Sequence, residues 1–120
     1  MSGLAWVRLD TGWPRNRKIL QLLGTKGGDH AIVVWVAGLC LAGEQGSDGF
    51  INDWALPTIH GKAADARLLV DVELWLPVEG GWQVNDWNVY QESNEETQKR
   101  SLKAKRAAAR RWEKASSQPF

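Results

Sequence analysis

Residues 48–87 read DGFINDWALPTIHGKAADARLLVDVELWLPVEGGWQVNDW, and the order of elements within them sets the expected architecture. Phe50-Ile51, bounded by Gly49 and Asn52, is a short strand signal. Asn52 can cap a helix through Asp53–His60, which Pro57 shortens or kinks because a proline disfavours helical backbone at Leu56. Beyond Gly61 a second helix is expected over residues 62–72, burying Leu68, Leu69 and Val72. Two apolar runs follow, Leu74–Val78 and Trp82–Val84, separated by Glu79-Gly80-Gly81. A Gly-Gly pair between such runs reads as a β-hairpin, since both glycines can take the positive φ of a tight turn.

Strand, helix, helix and hairpin in that order make a winged helix-turn-helix. The expected fold class is therefore mainly α with a small antiparallel β-hairpin, the hairpin forming the wing, plus a C-terminal basic helix. Upstream, residues 29–43 are apolar nearly all round, from Ile32 to Leu41. Such a helix is expected at the centre of the fold, with Trp35 its largest apolar side chain. Asp29 is the expected N-cap, after the connector Gly24–Gly28. Ile19, Leu20, Leu22 and Leu23 form a shorter amphipathic helix that Gly24 ends, and Pro14 suits a first helical turn. Residues 4–10 alternate loosely and read as a strand, with Ala5, Val7 and Leu9 on one side.

The formal charge of +1 conceals a split. Through Glu96 the chain has 7 Lys/Arg against 13 Asp/Glu, a net −6; from Thr97 onward it has 8 against 1, a net +7. Residues 1–92 are expected to form the winged-helix domain and 93–120 a basic helical tail. Ser93 to Glu96 has capping-box spacing, and Glu95–Lys99 and Glu96–Arg100 are favourable i,i+4 pairs. A helix over about 94–114 follows, in which Leu102 and Trp112 are the large apolar side chains, so it is expected to project. Lys99, Lys103, Arg106, Arg110 and Lys114 recur on one helix face, flanked by Arg100 and Arg111. That stripe can meet phosphates along a duplex, or it can be a solvated helix surface. Trp112 can stack on a base, pack on a partner or fold back on its own domain. In the recognition helix region, Thr58, His60, Lys62 and Arg67 can donate to phosphates or bases, against Asp65 and Asp71. For His60 the competing assignment is a turn residue bonded to its own backbone.

Other chemistries are poorly supported. One cysteine, Cys40, permits no internal disulfide and, lying in the most apolar helix, reads as packing. His30 and His60 lack a cysteine or carboxylate cluster at ligand spacing, so neither metal nor cofactor is expected. Asp10-Thr11-Gly12 matches an aspartic-protease tripeptide but precedes Trp13-Pro14 and a helix, and Gly24–Asp29 lacks the Gly-Lys-Ser/Thr of a phosphate loop. An enzyme is not expected. With no signal-peptide layout and no apolar run near the roughly 20 residues that span a bilayer, a cytoplasmic protein without a membrane partner is expected.

The chain also resembles winged-helix proteins of phages and prophages that look like the N-terminal, DnaD-like domain of phage replisome organisers and replication initiators. The resemblance lies in Trp6-Val7-Arg8-Leu9-Asp10-Thr11-Gly12-Trp13-Pro14, Asp48-Gly49-Phe50-Ile51, Leu69-Val70 with Leu74-Trp75, Gly80-Gly81-Trp82-Gln83-Val84-Asn85-Asp86-Trp87 with Tyr90-Gln91, and the Lys/Arg/Ala-rich tail. Two positions depart from it: Glu73 replaces a frequent glycine before Leu-Trp, so a strained or reshaped corner is expected there, and Asn85 replaces a common histidine. The resemblance implies binding to double-stranded DNA in replication or regulation, inside a bacterial host. The alternative is an interaction module that docks on a replication or host protein. Oligomeric state, a homodimer included, stays open at this level.

Overall fold

Gly80 adopts φ 82° and, with Glu79, closes a two-residue turn between β2 (Trp75–Val78) and β3 (Gly81–Val84). The computed structural model describes residues 3–91 together with 99, 102–107 and 109. Gly81 departs from expectation. Its φ is not positive; it already belongs to β3, paired with Val78 and with Asn52. A Cβ there would lie 2.0 Å from the Ile51 carbonyl oxygen, so close approach of backbone, rather than turn geometry, requires glycine.

The hairpin is part of a three-stranded antiparallel sheet of order β1-β3-β2, in which β1 (Phe50–Asn52) pairs with β3 at Ile51–Trp82. Alternation along the strands sends Ile51, Trp75 and Val84 into the core and leaves Leu76 and Val78 exposed on the outer face. Trp75 is the largest fully buried side chain and stacks on Trp82, ring centroids 5.3 Å apart.

Within residues 3–91, four α-helices pack around that core: α1 (Arg17–Leu23), α2 (Gly28–Gln45), α3 (Ala63–Asp71) and the short α4 (Trp87–Tyr90). The fold is thus mainly helical with a small antiparallel sheet. Asn16 caps α1 by accepting from the Lys18 N–H, and Gly24 ends it. Pro14 lies in a separate 3-10 turn, Trp13–Arg15, just before α1. The N-cap of α2 is Gly27, at φ 80°, and Asp29 falls in the first turn, where its carboxylate accepts from the His30 N–H. The capping therefore comes from backbone geometry two residues earlier than expected.

Small residues make α2 central. Gly38 lies against Ile51, Trp75 and Ile59, and a Cβ there would meet Ile51 Cδ1 at 2.9 Å. The helix is not enclosed all round, however: Val33 and Cys40 are exposed, so Cys40 is not a packing residue. Trp35 is only half-buried, against Trp13 at 5.7 Å, because it faces a cleft rather than the sheet.

The 3-10 helix Asp53–Ile59 carries Pro57 internally and ends at His60, φ 65°. Asn52 occupies its N-cap position without a side-chain bond. In α3, Leu69, Ala66 and Val72 beyond it are buried, while Leu68 is half-buried. The corner after α3 turns at Glu73, φ 63°, a left-handed conformation in which glycine is at ease and glutamate is not.

Residues 4–10 form no strand. Their backbone finds partners other than a sheet edge: Leu4 N–H donates to the Gly43 carbonyl, and the Gln91 amide brackets Arg8, accepting from its N–H (2.8 Å) and donating to its carbonyl (2.6 Å). Among the described tail residues, 99, 102–107 and 109 are helical and exposed, Leu102 included. The Ser93–Glu96 capping box and Trp112 lie outside the described residues. No helix among the described residues is long and apolar enough to cross a membrane.

Candidate nucleic-acid interface

The exposed side of α3 begins with Lys62, Ala63 and Ala64 and continues to Arg67 and Asp71. Asp65, expected to weigh against anion binding, is withdrawn from that side. It is 6% exposed, accepts from the Lys62 N–H at 2.9 Å, and lies 3.7 Å from His30 Nε2. Closing the first turn of α3 this way satisfies one of the orphan N–H groups of a helix start. What remains outward at this end is two cations around two small side chains.

The other two α3-side candidates are differently placed. Thr58 is exposed, but its hydroxyl donates to the Ala55 carbonyl, so its proton is already committed. His60 is a left-handed turn residue whose carbonyl lies 2.9 Å from His30 Nε2, a geometry that calls for the proton on that nitrogen. The structure thus groups Lys62 with Arg67 and commits the Thr58 hydroxyl locally, while at His60 it is the backbone carbonyl, not the imidazole, that meets His30.

From Val72 to Trp87 the chain has no Lys or Arg, and Glu79 sits in the hairpin turn. The hairpin offers no cation to a phosphate. Lys99, Lys103 and Arg106 are exposed on helical residues, and their spacing puts them on one side. Arg100, Arg110, Arg111 and Lys114 lie outside the described residues.

Asp10 accepts from the Gly12 N–H at 2.6 Å, a local turn, and among the described residues no three His, Cys, Asp or Glu side chains could hold a metal ion. Sequence reasoning missed a cleft of about 180 Å³ between the segment Arg8–Trp13, α1, α2 and the segment Val84–Gln91. Its one sequence signal was tryptophan at positions 13, 35 and 87, far apart in the chain and brought together only by the fold.

Comparison with protein-family models, with curated proteins and with solved structures found no match to this chain.

Proposed function

We propose that this chain is a winged helix-turn-helix protein that binds double-stranded DNA, phage-encoded and acting in replication or regulation in the host cytoplasm. Under this proposal residues 1–92 are the winged-helix domain and 93–120 a basic tail. The observation that carries it is the outward start of α3, where burial of Asp65 leaves Lys62, Ala63, Ala64 and Arg67 facing out. Small side chains between cations let a helix backbone approach a groove while the cations reach its phosphate edges. The order α2, β1, 3-10 helix, α3 and hairpin, with β1 on the far side of β3, agrees with a winged helix. Exposed Lys99, Lys103 and Arg106 add a second cationic surface for non-specific affinity.

An electrophoretic shift assay of the full chain with duplex DNA at several salt concentrations tests the proposal. Salt-sensitive binding is expected at micromolar protein. No shift at low salt would transfer the basic tail to the alternative, docking on a replication or host protein. One observation favours that second reading for the hairpin alone: it lacks cations and exposes Leu76 and Val78 beside Glu79. Apolar exposure of this kind suits protein contact better than phosphate.

A further inference from the structure

The cleft opposite in character to the α3 face is walled by tryptophan. Trp13, Trp35 and Trp87 line it together with Tyr90, over buried Ile19 and Leu39. None of Lys62, Arg67 or the described tail cations lines it. Its volume, about 180 Å³, opens to solvent on one side. An apolar cavity of about 150 Å³ accepts benzene, so this one has room for a somewhat larger ring system.

Packing and hydrogen bonds fix the walls. Trp13 and Trp35 pack in a tilted pair, 5.7 Å apart and 51° inclined. Gln91, itself buried, pins the Arg8 backbone from both sides, and the Asp10 carboxylate fixes the turn to Gly12. Preformed concavities that combine aromatic walls with fixed polar groups are the general form of small-molecule sites.

The mouth narrows the chemistry. Arg8, Lys18, Asp10 and Asp86 all line it, so its formal charges cancel. Lys18 Nζ already donates to the Glu73 carbonyl and the Asp10 carboxylate already accepts from the Gly12 N–H of its own turn, so Arg8 and Asp86, one charge of each sign, are the less committed pair. We propose that this cleft binds a planar aromatic compound of about indole size whose net charge is zero, either neutral or dipolar. The site is separate from the α3 face, and it stands whether or not the chain binds DNA.

The test follows the eight tryptophan indole N–H signals of the full-length 15N-labelled protein, assigned by single Trp→Phe variants, during titration with indole. Signals of Trp13, Trp35 and Trp87 should move along one saturable curve, with a Kd on the order of a millimolar for so small a probe. Those of Trp6 and Trp54, 77% and 68% exposed, should stay still. L-tryptophan, a zwitterion, should bind at least as tightly as indole, and the indole-3-acetate anion more weakly. Leu39→Phe, which adds ring atoms beside the cleft, should weaken indole at least tenfold. Tyr90→Ala, at a half-exposed wall where folding is not at stake, should weaken it several-fold. Non-saturable shifts, shifts at Trp6 and Trp54 equal to those of the cleft, or unchanged affinity in Tyr90→Ala would each overturn the assignment.

Discussion

The Asn85 side-chain amide donates to the Glu73 carbonyl over 2.9 Å, and Lys18 Nζ donates to the same oxygen at 2.9 Å. Both lone pairs of one carbonyl are thereby used, at the residue whose backbone is left-handed, φ 63°. Positions 73 and 85, each singled out in the sequence, meet in a single bond. Asn85 N–H also donates to the Leu74 carbonyl, so the residue ties the α3–β2 corner to the end of β3 twice.

Glu73→Gly should therefore stabilise the domain. Relief of left-handed strain in a non-glycine residue is worth roughly 1–2 kcal/mol, part of which is offset by the added freedom of glycine in the unfolded chain. A gain of about 0.5–1 kcal/mol, read as a higher urea midpoint with unchanged slope, is expected. Asn85→Ala should move the midpoint down by about 1 kcal/mol, the usual worth of a hydrogen bond. A lower midpoint for Glu73→Gly would mean that the glutamate side chain stabilises the corner.

Gly80 and Gly81 should fail for different reasons. Gly80→Ala puts a Cβ on a left-handed residue in an open turn, with Phe50 Cζ its nearest neighbour at 3.8 Å, and should cost about 1 kcal/mol. Gly81→Ala drives a Cβ into the Ile51 backbone and should cost at least about 2 kcal/mol, with loss of β1 pairing. Amide exchange of the β1 and β3 N–H groups distinguishes the two: only the second variant should expose them.

Much of the fold was legible because its elements carry local punctuation. Gly24, Pro57 and the turn at Gly80 each end or bend an element within a residue or two of where the structure does. What was not legible depended on long-range contact. Residues 4–10 have strand-like alternation but meet Gly43 and Gln91 instead of a strand, and nothing near them in sequence announces either partner. The apolar run of α2 could not reveal that its small residues, Gly38 above all, face the core while Val33 faces water. For the candidate interface, composition placed cations and acids together on α3; the inward bond of Asp65 withdraws that acid, while Asp71 stays exposed one turn beyond Arg67.

Trp75 and Trp87 each bury an indole N–H that finds no acceptor among the described residues. An unsatisfied buried donor is penalised by roughly 1–3 kcal/mol, so Trp75→Phe removes a penalty as well as some packing. Its stability should stay within about 1 kcal/mol of the parent, whereas Trp75→Ala should lose about 3–5 kcal/mol through the cavity it leaves. Trp35→Ala, at a half-buried cleft wall, should lose less than Trp75→Ala. Equal losses for Trp75→Phe and Trp75→Ala in thermal unfolding would show that the indole nitrogen has a partner after all.

Salt dependence separates the two cationic surfaces of the proposed DNA complex. Each phosphate neutralised releases counterions and contributes about −0.9 to the slope of log K against log salt. If about five of the tail's cations engage, the full chain should show a slope near −4 to −5. Lys103→Ala with Arg106→Ala should reduce that slope by about 2 and weaken binding to all duplexes alike, because phosphates are the same in every sequence. Lys62→Ala or Arg67→Ala should remove about one contact each, and should also change the ratio of affinities between unrelated duplexes, since α3 is the element proposed to enter a groove. A slope unchanged in the Lys103/Arg106 double variant would remove the tail from the interface. If discrimination were also unchanged in the α3 variants, Lys62 and Arg67 would be solvated surface charges, and the exposed apolar hairpin would become the surface to probe for a protein partner.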